Sequence, residues 1–404
     1  MPDSTSSKNN TGRVVKNGEC CGCGACIDRC PTSALFYSED SRGFFVPIVD
    51  NSKCIECMQC LNICPVLVQN KKSNKSVYAA IAKNKEIRKN SSSGGIFYFI
   101  ASYFLKKGDI VYGCTIDADF QVKHIRIADI NNLSLIMRSK YVQSNMCDIY
   151  KLIKKDLNDG KKVLFSGTPC QVSAVNNFCN NNDNLFTVDV VCHGIPSQTF
   201  FNSYINSLVE QNGEIKNYTF RTKRTVNNGM NWYHSYYSEA KKKNVILNWP
   251  EDTYNYLYMM GYINRDSCYQ CKYTTAERVG DITLCDYWGY DKYHKQFRIG
   301  STVSGVLINS EKAEDLVANL RDELIIFETD FNNLKDNNGA LSHSVKLPDN
   351  RDKLFEVWQN EGFAKLNEEY KRTHKKTIKK YALIRKFPQF LINKVFYLKR
   401  YNKK

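Results

Sequence analysis

Two runs, Cys20-Cys-Gly-Cys23-Gly-Ala-Cys26-Ile-Asp-Arg-Cys30-Pro31 and Cys54-Ile-Glu-Cys57-Met-Gln-Cys60-Leu-Asn-Ile-Cys64-Pro65, decide how the N-terminal part of this chain folds. In each, four cysteines fall at intervals of three, three and four residues, with proline directly after the last. Three thiolates in a tight turn cap three irons of one cubane, and the fourth, on the departing segment, ligates the other. The spacing therefore assigns Cys20, Cys23, Cys26 and Cys64 to one [4Fe-4S] cluster, and Cys54, Cys57, Cys60 and Cys30 to a second. Gly22, Gly24 and Ala25 leave room for backbone amides near the sulfides. Cys21 fits no ligand position and reads as a spare thiol. Paired CxxC steps also occur at zinc sites, but each run here carries an extra, overlapping CxxC step and a Cys-Pro.

Working outward, residues 13–66 form a ferredoxin-type unit, with Gly43 to Val49 as a strand between the two cluster loops. Residues 1–12 are polar and read as disordered. Gln69 to Lys75 (QNKKSNK) reads as a polar linker and domain boundary. The chain has 404 residues, enough for two or three domains. It has 17 cysteines, an odd count inside a long chain, which argues against a secreted disulfide scaffold. The first ten residues carry no apolar leader, and no stretch approaches the roughly 20 apolar residues of a bilayer span. These features point to a reducing cytoplasm. The net charge of +16 is uneven, because the last 34 residues hold 13 Lys or Arg and no acid.

Beyond the linker, strands alternate with helices. Val77 to Ala82 is a strand. Asn90-Ser91-Ser92-Ser93-Gly94-Gly95 opens the apolar helix Ile96 to Leu105, and such a loop is either a plain cap or an anion site for a phosphate. Strand Lys162 to Phe165 runs into Ser166-Gly167-Thr168-Pro169-Cys170-Gln171. Strand Leu185 to Val191 runs into Cys192-His193-Gly194-Ile195-Pro196. Ligands of α/β sheets bind at the carboxyl ends of strands, so both loops are expected to face one crevice. Tyr218 to Trp249 alternates as antiparallel hairpins. Gly280-Asp281 begins a strand that ends at Asp286-Tyr-Trp-Gly289, and Ser304 to Asn309 is one more strand.

Cys170, Cys192 and the pair Cys268/Cys271 form a candidate third metal site. From spacing alone, four thiolates converging on a further cluster and a zinc half-site or redox pair stand equally open.

The loops Ser91 to Ile96, Ser139-Lys-Tyr-Val-Gln-Ser144, Ser166 to Val172, Val191 to Ser197, Cys268-Tyr-Gln-Cys271 and Gly280 to Gly289 follow the ferredoxin unit in that order. The series resembles the coenzyme F420 hydrogenase/dehydrogenase beta-subunit family over residues 15 to 310. The resemblance implies a bacterial-type 2[4Fe-4S] ferredoxin fold followed by a mixed α/β flavin-binding domain, residues 76–330, with residues 331–404 as a C-terminal extension. It implies FAD, with Ser92, Ser93, Gly94 and Gly95 toward its phosphates, Ser139, Lys140 and Tyr141 near the flavin, and Thr168 and Gln171 near its ring. It also implies a third [4Fe-4S] cluster on Cys170, Cys192, Cys268 and Cys271, leaving Cys285 inside its strand.

The activity implied is an iron–sulfur flavoprotein oxidoreductase that passes electrons between a hydride carrier, a deazaflavin or similar coenzyme, and a redox partner protein. Lys140 is a candidate to stabilise charge on reduced flavin, and His193 a candidate for proton transfer or cluster tuning. Surface and structural roles are the alternatives for these two residues. An electron-transfer subunit without its own substrate, or an accessory of surface-polysaccharide biosynthesis, are the competing functions. The tail, residues 371–404, alternates basic pairs with apolar groups, as in segments that lie on an anionic membrane. No nucleic-acid reading module accompanies its charge.

Overall fold

The computed structural model describes residues 10–223, 233–297 and 302–384. Most of the region expected as disordered, and residues 385–404 of the basic tail, lie outside the described residues. At the N-terminus order begins earlier than expected. Asn10 and Thr11 are buried, and a helix runs Gly12–Lys16 with Val14 against Cys64 and Val66.

The N-terminal unit pairs β1 (Leu35–Glu39) with β2 (Phe45–Val49) in an antiparallel hairpin. Only β2 was visible in the apolar run at Gly43 to Val49. The following domain holds β3 (Ser76–Ala82), β4 (Ile110–Ile116), β5 (Val122–Ile127), β6 (Val163–Gly167) and β7 (Leu185–Val190). Next come β8 (Ile215–Thr222), β9 (Tyr233–Ser238), β10 (Lys243–Leu247), β11 (Ile282–Asp286), β12 (Ser304–Ile308) and β13 (Leu324–Thr329). Among the described residues, eight of these strands make one mixed sheet in the order β13-β3-β12-β11-β7-β6-β4-β5.

Its centre is parallel, β4-β6-β7-β11, and both flanks are antiparallel. Parallel strands need crossovers and are covered on both faces, and the sequence complies. Val163, Leu164 and Phe165 are all fully buried, between the core of helix Ile96–Lys106 and that of helix Ile149–Asn158. A second sheet, β10-β9-β8, is the expected antiparallel ribbon. It packs through Tyr218, Phe220 and Tyr236 on helix Gln198–Asn212 and on Phe355 and Phe363 of the extension.

A buried ion pair joins the parallel strands to the Gly280-Asp281 turn. Asp189 on β7 accepts from Arg278 at 2.5 Å and from Thr283 at 2.5 Å. A Cβ on Gly280 would come within 2.7 Å of the Asp189 carboxylate, so the turn requires glycine. Asp281 meets Lys72 at 2.8 Å and Lys312 at 3.3 Å. Its role is structural.

The 69–75 segment is not a free tether. Lys72 exchanges backbone hydrogen bonds with Arg278, and Asn70, Lys71 and Asn74 each bond a residue of the large domain. The ferredoxin-type unit is therefore docked. Tyr150 donates to Cys23 O at 2.9 Å, Gln143 to Gly22 O at 2.8 Å, and Arg265 to Cys20 O at 3.2 Å and Phe45 O at 2.7 Å. No helix among the described residues is long and apolar enough to cross a membrane.

Candidate functional site

The carboxyl ends of β4, β6, β7 and β11 open onto one cavity of about 590 Å3, lined at those ends by Cys114, Gly167, Val190 and Asp286. Small-molecule and cofactor sites fall in roughly the same range, 300–1,000 Å3. The Thr168–Gln171 and Cys192–Ile195 loops both line it, so the two strand–loop–helix units do face one crevice. Helix Pro169–Phe178 begins directly after Thr168, inside the Ser166 to Gln171 loop segment. Proline at its first position and a Thr168/Gln171 capping box start it there.

One end of the cavity is lined by serine hydroxyls. Ser91, Ser92, Ser93 and Gly95 line it at the start of helix Ile96–Lys106. Ser92 Oγ accepts from Ser139 N at 2.9 Å, which ties the two loops together. Gly95 takes φ +92°, a left-handed turn suited to glycine. Gly94 does not line the cavity. A Cβ there would meet Ala80 O at 2.5 Å, so its small size lets the loop pack on β3.

Arg138 and Lys140 line this end, Lys223 bonds the backbone of its Ser93, and all three donate to neutral oxygens. Lys223 reaches Arg88 O, Ser93 O and Thr302 Oγ1 at 2.6–2.8 Å, and Lys140 reaches Met137 O at 2.6 Å. Arg221 does have a carboxylate, Asp286 at 2.6 Å. Burial, and then the neighbouring Arg221, push Lys223 down to about 7. Burial lowers Lys140 to about 8, with Arg138 adding to the fall. Cations held this way are short of negative charge, which a phosphate would supply.

The middle is rigid and neutral. Gln171 Oε1 accepts from Thr168 N and Oγ1, Gln171 Nε2 donates to Ser144 Oγ at 2.8 Å, and Ser144 meets His124 Nδ1 at 2.9 Å. His124 Nε2 then meets Ser166 O at 3.0 Å, and burial holds the ring neutral, down to about 4. Tyr141 stacks on Tyr258, with centroids 4.5 Å apart. His193 also lines the cavity. Its Nε2 faces Met259 O at 3.0 Å, fixing the tautomer, and burial lowers its pKa.

At the far end stand Cys170, Cys192, Cys268 and Cys271, joined by Cys21. Contact with the Cys21 thiol, and then burial, raise Cys170; burial and then neighbouring thiols raise Cys192, Cys268 and Cys271, with Cys268 pushed up to about 12. Each has a backbone amide against its sulfur: Gln171 for Cys170, Gly194 for Cys192 at 3.4 Å, Ile195 for Cys268 and Tyr273 for Cys271. The thiols of Cys114, Cys192 and Cys285 also face carbonyls, those of Thr115, Gly194 and Gly305, at 3.8, 3.8 and 3.7 Å. Among the described residues, no three His, Cys, Asp or Glu side chains form a group for a single metal ion.

The N-terminal cysteines gather in two sets. Burial and then Cys20 raise Cys26 and Cys64, and Cys26 and Cys64 in turn raise Cys23, so these four stand together. Cys30, Cys54, Cys57 and Cys60 line one small surface cavity. The last cysteine of each run thus stands with the other run. Ala34 N donates to Cys30 at 3.2 Å and Gly22 N to Cys20 at 3.4 Å.

Several cavity residues escaped the sequence reading. Arg221 lay in what read only as a hairpin, although its spacing from Lys223 puts both on one face of the strand direction. Asn337 to Val345, in the extension, form a wall. Asn338 anchors that wall to Asp286 O at 3.1 Å, and Ser344 anchors it to Tyr269 O at 2.7 Å. No motif marked it.

Residues 160–333 match the family described as the C terminus of the coenzyme F420 hydrogenase/dehydrogenase beta subunit. Residues 19–68 match the 4Fe-4S dicluster domain. The chain thus carries a 4Fe-4S dicluster region followed by a region similar to the C terminus of that beta subunit. It is an iron–sulfur electron-transfer protein related to the F420 hydrogenase beta subunit. Among solved structures, it is similar to a chain of the F420-reducing [NiFe] hydrogenase complex from Methanosarcina barkeri. The identity is 17% and the TM-score 0.43, over 76% of this chain and 92% of that one. No curated protein matches this chain.

Proposed function

We propose that this protein is a flavin-dependent oxidoreductase with three [4Fe-4S] clusters, exchanging electrons between a hydride-carrying substrate and a redox partner protein. One observation carries the reading. A cation-rich, serine-lined anion end and a set of cavity thiols share one cavity, and the first ferredoxin set stands directly behind those thiols.

FAD fits the cavity's volume and its shortage of negative charge. Ser92, Ser93 and Gly95 would hold its phosphates with Ser139 and Lys140, Gly94 would shape that loop, and Tyr141, Thr168 and Gln171 would border its ring. Flavin supplies the exchange between two-electron hydride chemistry and the one-electron chemistry of a cubane. Cys170, Cys192, Cys268 and Cys271 would ligate the third cluster. Lys140 keeps positive charge beside the ring, while the Met259 carbonyl holds His193 neutral, with Nδ1 left to accept a proton. The exposed Cys57 and half-buried Cys54 make the second ferredoxin set the outlet toward a partner. A deazaflavin is one candidate for the hydride carrier.

Anaerobic purification with iron, sulfide and flavin analysis tests this reading. About twelve irons and one flavin per chain are expected. About eight irons without flavin would leave an electron-transfer subunit lacking its own substrate.

A further inference from the structure

Arg265 is a buried arginine without an acid. It is 3% exposed, and among the described residues it forms no ion pair. Its neighbour Asp266 is taken by Arg42 and Arg351, each at 2.8 Å. The Arg265 guanidinium donates to neutral oxygens instead. Nη1 reaches Cys20 O at 3.2 Å, and Nη2 reaches Phe45 O at 2.7 Å and Gln143 Oε1 at 2.8 Å. Nε is buried and has no partner. The group stands over the Phe44 ring, 4.8 Å from its centroid. A guanidinium cannot be deprotonated in proteins, and a buried cation is strongly destabilising unless a negative charge stands near it.

The first ferredoxin-type cluster is the anion within reach. The 4Fe-4S dicluster match over residues 19–68 takes in Cys20, Cys23, Cys26 and Cys64. Arg265 lies on the loop between the first two of these. Gly22 shows how closely, because at φ +65° a Cβ there would fall 2.6 Å from Arg265 Nη2 and 2.7 Å from its Cζ. A cubane held by four thiolates is a net anion, and reduction by one electron makes it more negative. A fixed cation beside it stabilises the reduced form more than the oxidised form, and so raises the potential. In the second run the residue equivalent to Gly22 is Glu56, exposed and at φ +52°. The second cluster is therefore a reference within the same chain.

The charge is also fixed in place. Arg265 N donates to Ile195 O at 3.0 Å, and Arg265 O accepts from Cys268 N at 3.0 Å. The backbone thus belongs to the large domain, while the side chain crosses into the ferredoxin-type unit. A cation held in a buried interface is screened far less than one on the surface.

We propose that Arg265 is the counter-charge of the first ferredoxin-type cluster. It reaches across the domain boundary, positions the Cys20 to Cys23 loop and raises that cluster's potential. Docking of the two domains and the redox poise of the inner cluster are then set by one side chain. The step affected is the gain of one electron by that cluster, in which no bond forms or breaks. The proposal needs the dicluster unit alone, so its failure and that of the flavin and third-cluster reading are separate results.

The test compares the full chain with Arg265→Gln, Arg265→Lys and Cys57→Ala, all purified anaerobically. Iron analysis is combined with redox titration by dithionite, followed by electron paramagnetic resonance. Cys57→Ala removes a ligand of the second cluster, which tells the two ferredoxin-type signals apart. Glutamine and lysine both shorten the side chain and loosen its grip, but only lysine keeps the charge. Arg265→Gln should hold its iron and titrate lower at the first cluster, with the second cluster unmoved. The reduced-to-oxidised ratio of the first cluster at the parental midpoint should fall about tenfold, ~59 mV for one electron. Arg265→Lys should recover most of that shift. An unshifted first cluster in Arg265→Gln would overturn the proposal. Equal shifts in the glutamine and lysine variants, or equal shifts of both clusters, would also overturn it, because lost docking would then be the cause. Loss of about four irons from both variants would do the same, leaving Arg265 a structural residue.

Discussion

At the residue scale, Lys140 makes the anion end testable by pH. Its pKa is lowered to about 8 by burial, against an ordinary lysine value near 10.5, so the empty site loses the charge as pH rises through 8. A bound phosphate raises that value again, and binding above pH 8 then takes up a proton. Flavin affinity of deflavinated protein, followed by fluorescence, should fall between pH 7 and pH 9.5, and Lys140→Met should flatten the profile. For folding the sign is opposite. Between about 8 and the unfolded value the unfolded chain binds more protons, so this group makes the protein more stable as pH rises. The ferredoxin cysteines were legible at this scale because iron–sulfur ligation fixes spacing. Arg221 was not, since its place in the cavity depends on Asp286, 65 residues away.

At the scale of elements, the strand–loop–helix units at Val163–Phe178 and Leu185–Asn212 were readable because buried parallel strands are continuous apolar runs bounded by Gly and Pro. β5 and β13 were not, being flank strands with mixed faces such as Val-Lys-His-Ile-Arg-Ile. The turn joining β7 to β11 predicts a stability effect. Asp189→Ala leaves Arg278 uncompensated at 1% exposure, and such a loss costs about 3–5 kcal/mol. A clearly lower urea midpoint is expected, read by circular dichroism. The docking of the ferredoxin-type unit turns on Gly22. Gly22→Val drives a side chain into Gln143 and Arg265, so the two domains should separate and the 69–75 segment should become a site of limited proteolysis. Resistance equal to that of the parent chain would argue against so tight an interface.

For the whole molecule, the proposed path runs from the serine-lined end, past the cavity thiols, through Cys20, Cys23, Cys26 and Cys64, and out to Cys57 at the surface. The extension, featureless as sequence, supplies both a cavity wall at Asn337 to Val345 and part of the aromatic core at Phe355 and Phe363. Its contribution was illegible because single polar residues on an irregular strap carry no periodicity. The basic residues of its described end, on helix Lys375–Ile384, lie apart from that core. The central claim is that one chain joins a two-electron site to three one-electron centres. Anaerobic titration with dithionite, followed by absorbance, counts them directly. Two electrons for flavin and one for each cluster predict about five reducing equivalents per chain. Saturation at about two, the capacity of the ferredoxin-type unit alone, would contradict it.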